Sequence, residues 1–351
     1  MTSESPSQPH PVSETRILIL KLGALGDVVR TSYILPGLHE RFGTGTSVTW
    51  VTSPAALPIL RHHPLVARLI SVDQLANSTG DSLLDGEYFD WVLSLDDEME
   101  SCAIATRVAA KRLSGAFPVS DGISYTEDTR PWFDMGLISR FGKATADQLK
   151  VANQESHDAI FGKMLGIKIE RPSFYNDPAS EKAASARLHS FPRKIVGLNL
   201  GAGRRWPSKS LRVTEAVRLI DLLNDLGVTC LLLGGSDDLP YLEAVRSSRP
   251  VPMIYGLSLA EFSGVIAGLD LLITSDTLAL HLAIAQKVPT ISYYSPTSAA
   301  EINTFATGIK VTSLSPDYCS YHPDADNSTI TAERLFVEAR KQLELPVKAT
   351  L

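Results

Sequence analysis

Residues 16–29 read RILILKLGALGDVV. The first five, RILIL, form an apolar run of buried-strand type. Two glycines, Gly23 and Gly26, and one acid, Asp27, follow where a helical pattern begins. Strand, glycine turn and helix in succession open an α/β unit, and the rest of the chain repeats that rhythm. SVTWVT, RLISV and WVLSL read as further strands. Helical spacing lies over 28–41, in AALPILRHH and over 101–112. The alternation indicates a parallel sheet with helices on both faces.

A second alternation starts at KIVGLNL and runs through TCLLLGG, PMIYG, LDLLITSD and PTISYYSP. Helices fit between these strands at 213–226, 239–247, 259–267 and 277–287, with a last one in TAERLFVEARKQLEL. Residues 117–150 break the rhythm with an aromatic and polar excursion. A helix is expected over 145–165, and ERPSFYNDPASEK has the composition of an interdomain linker. The expected organisation is a tail over 1–15, an N-terminal Rossmann-like domain over 16–170 and a linker over 171–193. A C-terminal Rossmann-like domain follows over 194–328, and the helix of 329–351 is expected to cross back to the first domain. A length of 351 residues suits two domains. The fold class is α/β, with two doubly wound domains facing across a cleft, and ligands in such sheets bind beyond the carboxyl ends of the strands.

Composition narrows the function classes. The first 15 residues, MTSESPSQPHPVSET, lack the basic start and apolar core of a signal peptide and read as a disordered tail on a cytoplasmic protein. No apolar stretch reaches the length of a membrane span. The net charge of −6 argues against nucleic acid as the main partner and gives no general attraction to anionic membranes. Peripheral membrane contact through a local basic patch stays open. Cys102, Cys230 and Cys319 are far apart in sequence, without zinc-type spacing, so no metal site is expected.

Three strand ends carry chemistry. In KLGALGDVV the glycines are spaced G-x-x-G, not G-x-G-x-x-G, and the second strand ends WVTSP without an acid, which disfavours a NAD site. Asp27 fits either a helix cap or a carboxylate projected into the cleft. In NLGAGRRWPSKSL, small residues such as Gly201 stand beside Arg204, Arg205 and Lys209, which fits a diphosphate. A solvated basic loop is the alternative. In LLITSDTLALHLAIAQKVPTIS a strand ends at Ser275, Asp276 and Thr277, and a helix start there makes a second anion site. His281 falls about one and a half helical turns after Asp276 and either faces the cleft or packs inside. A fourth strand end, SLDDEMES, sets Asp96, Asp97 and Glu98 together, suited to acceptor hydroxyls or amines, or simply solvated.

Taken together these stretches resemble glycosyltransferase family 9, the ADP-heptose heptosyltransferases. GDVVRTSYILPGL is similar to that family's N-terminal motif, and GAGRRWPSKSL to its basic W-P motif. SDTLALHLAIAQKVPTISYYSPT is similar to its D-[ST]-G-x-x-H-L-A…P-T…[FY]-G-P-T signature, and the order holds from Arg16 to about Leu345. The resemblance implies a GT-B fold and an inverting transfer that needs no metal and no cofactor. It implies ADP-heptose or another nucleotide sugar as donor, and lipopolysaccharide core or another glycan, lipid-linked or small-molecule acceptor. By position, Asp27 matches the general base, on a turn where Gly26 admits the acceptor. Gly201, Arg204, Arg205 and Lys209 match the phosphate loop, and Asp237 or Asp238 the acid that holds the ribose. Ser275, Asp276, Thr277, Leu278 and His281 match residues around the diphosphate and sugar. Leu278 replaces the usual Gly, and YYSPT the usual [FY]-G-P-T, so the sugar pocket is expected to differ from other members. Two rival readings are a GT-B-type sugar-nucleotide epimerase and a degenerate, non-catalytic carbohydrate-binding protein.

Overall fold

The computed structural model describes residues 14–76, 83–192, 194–203 and 206–344. Most of the expected tail therefore lies outside the described residues. The first sheet comprises β1 (Thr15–Leu20), β2 (Thr46–Thr52), β3 (Arg68–Ser71), β4 (Trp91–Ser94), β5 (Leu113–Val119) and β6 (Gly122–Tyr125). Its order is β3-β2-β1-β4-β5-β6, parallel except for the final hairpin. The start of the 117–150 excursion thus extends the sheet. The second sheet comprises β7 (Ile195–Asn199), β8 (Thr229–Gly234), β9 (Met253–Tyr255), β10 (Leu271–Ser275), β11 (Thr290–Tyr294) and β12 (Gly308–Thr312). Its order is β9-β8-β7-β10-β11-β12, parallel throughout. Strands β4, β7, β10 and β11 are buried at every position, as parallel strands covered on both faces must be. Strand order reverses between β1 and β4 and again between β7 and β10. Each reversal opens a crevice at the carboxyl ends, where the quoted motifs lie.

Several helices differ from the periodicity. The pattern over 28–41 is two helices, α1 (Leu25–Thr31) and α2 (Ile34–Phe42). Pro36 lacks an N–H and its ring clashes with the carbonyl four residues back, so the first helix cannot run through. The helix expected over 145–165 is likewise split, into α3 (Lys143–Ala152) and α4 (His157–Leu165). Between them Asn153 Oδ1 accepts from Glu155 N at 3.0 Å and Asn153 Nδ2 donates to Glu155 O at 2.8 Å, closing a local turn that competes with helix. The stretch read as linker holds α5 (Pro178–Leu188), capped by Asp177 with Pro178 in its first turn. It packs on α6 (Leu259–Ala267) of the second half.

The two halves meet where α1 packs on α7 (Leu278–Ala285). One apolar cluster runs from Val28, Leu38 and Trp50 through Ala279 and Leu282 to Leu233 and Ile266, so the cleft has a continuous floor. Polar ties reinforce it. Arg171 donates to Ile284 O and Thr307 Oγ1, both at 3.1 Å, and His157 N donates to Glu301 O at 2.9 Å.

The last helix, α8 (Ala332–Glu344), does not cross back to the first sheet. It packs on the second sheet and on the helix Val213–Asn224. Leu335, Ala339 and Leu343 recur every fourth residue and enter the core of Val196, Leu198 and Ile273. Residues 345–351 lie outside the described residues. The three cysteines are buried and free. No helix among the described residues is long and apolar enough to cross a membrane.

Leu335 is fully buried, so Leu335→Ala is expected to destabilise the protein by about 2–5 kcal/mol in urea unfolding. A loss below about 0.5 kcal/mol, the scale of surface changes, would show that α8 is not docked there.

Candidate active site

The turn after β1 is fixed from the neighbouring strand. Asp96, at the end of β4, accepts from the Lys21 ammonium and from Leu22 N, and is only 7% exposed. The Asp96 carboxylate is thus engaged across the strand-order reversal and shapes the turn. Asp97 is half-buried and Glu98 exposed on the loop beyond.

Gly26 has a different role from the one expected. A Cβ there would lie 2.7 Å from His281 Cδ2 and 3.5 Å from Leu278 Cα. The missing side chain makes room for α7. Asp27, next in line, is the third residue of α1. The N-cap is Ala24, and no side chain caps the helix. The capping role therefore falls away, and the carboxylate, 37% exposed, pairs with Arg30 Nη2 at 2.9 Å. Burial raises its pKa, but Arg30, then Lys21 and His281, outweigh burial and hold it below the usual range. The Arg30 guanidinium sits 5.7 Å from the ring centre of Trp132.

On the facing half, Asp238 binds two loops together. Its Oδ1 accepts from Gly203 N at 2.8 Å and its Oδ2 from Gly235 N at 2.9 Å. A Cβ on Gly201 would lie 2.7 Å from Asp238 Oδ1, so Gly201 is small for Asp238's sake. Asp237 is exposed beside it. Arg204 and Arg205 lie outside the described residues.

Lys209 Nζ donates to Asp276 O at 2.8 Å and to Asp276 Oδ2 at 3.1 Å, so it holds that residue in place. Burial raises the Asp276 pKa, but Lys209, then His281 and Arg30, hold it well below the carboxylate range. Thr277 precedes α7 and donates to Asn199 Oδ1 at 3.2 Å. Ser275 is 1% exposed, and its buried Oγ has no hydrogen-bond partner among the described residues. Leu278 starts α7 without a left-handed backbone, which is why leucine is tolerated there. Its side chain is half-buried against the shared apolar cluster.

His281 connects the halves. Its ring lies against Gly26, and its Nε2 is 3.7 Å from Asp276 Oδ1. Burial pushes its pKa down to about 4, against the pull of Asp276, so the imidazole is neutral at pH 7.

The fold thus brings Asp27, Asp276, Thr277, Leu278, His281 and Lys209 to one place, with Asp96 engaged at the turn before α1 and Ser275 buried at the end of β10. Arg30 and Asn199 escaped the sequence reading. Each stands as a polar residue within an apolar element, three residues from Asp27 or at the end of β7. Among the described residues, no three His, Cys, Asp or Glu side chains are placed to hold a metal ion. The arrangement offers an ionised, partly exposed carboxylate facing a helix N-terminus whose first N–H groups suit an anion.

Residues 81–329 match the sequence model of "Glycosyltransferase family 9 (heptosyltransferase)". Lipopolysaccharide heptosyltransferase 1 of Escherichia coli K12 is 23% identical over 318 residues, covering 83% of this chain and 91% of that protein. The chain is similar in fold to a family 9 glycosyl transferase from Veillonella parvula, with a TM-score of 0.75 at 18% identity over 94% and 97% of the two chains. It is also similar to E. coli heptosyltransferase WaaC solved with ADP, with a TM-score of 0.61 at 17% identity over 93% and 100%.

The buried imidazole has a pH signature. His281 titrates near 4 when folded and 6.5 when unfolded. Between those values the unfolded chain binds more protons, so stability falls as pH drops through that window and is unaffected by this group above it. From pH 7 to pH 5 His281 should remove about 2 kcal/mol. Urea unfolding of wild type and His281→Gln at both pH values isolates this effect, because other groups cancel. Equal pH dependence in the two proteins would contradict a buried neutral imidazole.

Proposed function

The chain belongs to glycosyltransferase family 9, and on that footing we propose that it transfers a heptose from ADP-heptose to a hydroxyl of a glycan acceptor, with inversion. The observation that carries the reading is the placing of ionised Asp27 against the start of α7 and Asp276. Lipopolysaccharide core is the acceptor class suggested by the relatives' names, and the enzyme then works in the cytoplasm. The N-terminal half holds the acceptor, and the C-terminal half, from about residue 194, holds the nucleotide.

In this mechanism the acceptor oxygen attacks the anomeric carbon from the face opposite the diphosphate. Asp27 takes the hydroxyl proton as the new C–O bond forms. A carboxylate held this acidic is a weak base towards a free alcohol. It becomes competent once bond formation has made that hydroxyl strongly acidic. The bond to the diphosphate breaks with its electron pair, and ADP leaves. Resident charges near the reacting centre largely cancel: Asp27 with Arg30, Asp276 with Lys209, and Asp96 with Lys21. Added negative charge on the leaving group therefore falls to the first N–H groups of α7 and to the Arg204–Arg205 loop.

Asp27→Asn is expected to lower turnover about 10²–10⁴-fold while leaving ADP affinity within about twofold. Release of ADP in the presence of acceptor measures the first, and calorimetry the second. Near-normal turnover would remove Asp27 from the role of base.

A further inference from the structure

Asn199 ends β7 at the point where the strand order of the second sheet reverses. It is 5% exposed and uses both ends of its amide. Nδ2 donates to Leu233 O of β8 at 3.0 Å. Oδ1 accepts from Thr274 Oγ1 of β10 at 3.1 Å and from Thr277 Oγ1 at 3.2 Å. The two threonine hydroxyls stand 3.1 Å apart. A carbonyl on one side and two hydroxyls on the other fix which way the amide points.

This network decides what caps α7. Thr277 is the N-cap residue, and a threonine there ordinarily accepts from the second or third N–H of its helix. Here no side chain caps α7, because the Thr277 hydroxyl is drawn to Asn199. Leu280 N, the third, donates to Thr277 O at 3.1 Å instead. Leu278 N and Ala279 N, the first two, meet no acceptor among the described residues, and Ala279 is 1% exposed. Buried backbone donors without a partner are rare in folded proteins.

The acceptor side chain next to the cap is withheld as well. Asp276 precedes Thr277, and Lys209 Nζ holds its Oδ2 at 3.1 Å and its carbonyl at 2.8 Å. Lys209 thus does for Asp276 what Asn199 does for Thr277. Asparagine suits the task because its carbonyl oxygen accepts without carrying a charge. An aspartate at this position would accept equally well and would repel an arriving anion.

We propose that Asn199 is a positioning residue of the donor site: by engaging the Thr277 hydroxyl it keeps the first N–H groups of α7 open to the diphosphate. The inference rests on the donor reading given above. A diphosphate oxygen then takes the place of a side-chain cap and meets two N–H donors at the positive end of the helix dipole. The Thr277 hydroxyl serves the protein and not the ligand, since its one proton goes to this network.

Calorimetry with ADP on wild type, Asn199→Leu and Asn199→Leu/Thr277→Val tests it. Leucine cannot accept from Thr277, so the freed hydroxyl turns to cap α7. ADP must then displace that cap and is expected to bind about fivefold more weakly. Removing the hydroxyl as well should return ADP to within about twofold of wild type, a rescue that general damage at the sheet end would not show. Asn199→Ser, too short to reach Thr277, is expected to give the same pattern alone and with Thr277→Val, and it carries the test if the leucine variant does not fold. Unchanged ADP affinity in the Asn199 variants, or double variants that bind no tighter than the single ones, would overturn the proposal. Failure of wild type to bind ADP at all would instead overturn the donor reading, so the two failures are distinct.

Discussion

The contact between Gly26 and His281 is where the two halves become one site. A hydrogen in place of a side chain lets α1 and α7 approach until the imidazole ring would stand 2.7 Å from any Cβ. That approach sets Asp27 opposite Asp276 and closes the apolar floor that runs through Val28, Ala279 and Leu282. The residues that resemble catalytic and donor-binding groups of the family come from separate sheets. Without this close packing they would face each other across a wider gap. The same packing buries His281, keeps it neutral and leaves it a dipolar contact to Asp276 where an imidazolium would be a second cation.

Around that contact the electrostatics are arranged in pairs. Lys21 answers Asp96, Arg30 answers Asp27 and Lys209 answers Asp276. Each pair fixes a geometry. Asp96 shapes the turn from which Asp27 projects, and Lys209 holds both the side chain and the carbonyl of Asp276 at the entrance to α7. The Asp27 and Asp276 carboxylates stay ionised despite partial burial because their partners outweigh desolvation.

The alternation of apolar strands with helical spacing made both sheets legible, since parallel strands buried on both faces read as continuous apolar runs. The motif residues Asp27, Asp276 and His281 were legible through spacing from strand ends. What sequence did not convey was which partner occupies each group. Asp96 looked like one acid of an exposed run, yet Lys21 lies 75 residues away and consumes it. Gly26 suggested room for substrate, and the room is taken by a residue from the other half. The last helix carries the same amphipathic stripe whichever sheet it covers, so its destination was not readable. Helix breaks at Pro36 and Asn153 were local and could be read from steric and side-chain competition alone.

The close approach of α1 and α7 is tested most directly by a double-mutant cycle in urea unfolding with Gly26→Ala, His281→Ala and the pair. In the wild-type background the added methyl must displace the imidazole. With the imidazole gone, the same methyl meets Leu278 Cα at an ordinary 3.5 Å and gains the helix preference of alanine over glycine. Gly26→Ala should therefore destabilise wild type yet be neutral or stabilising in His281→Ala, a coupling of about 1–3 kcal/mol. Additive effects, within about 0.5 kcal/mol, would contradict the contact on which the site is built.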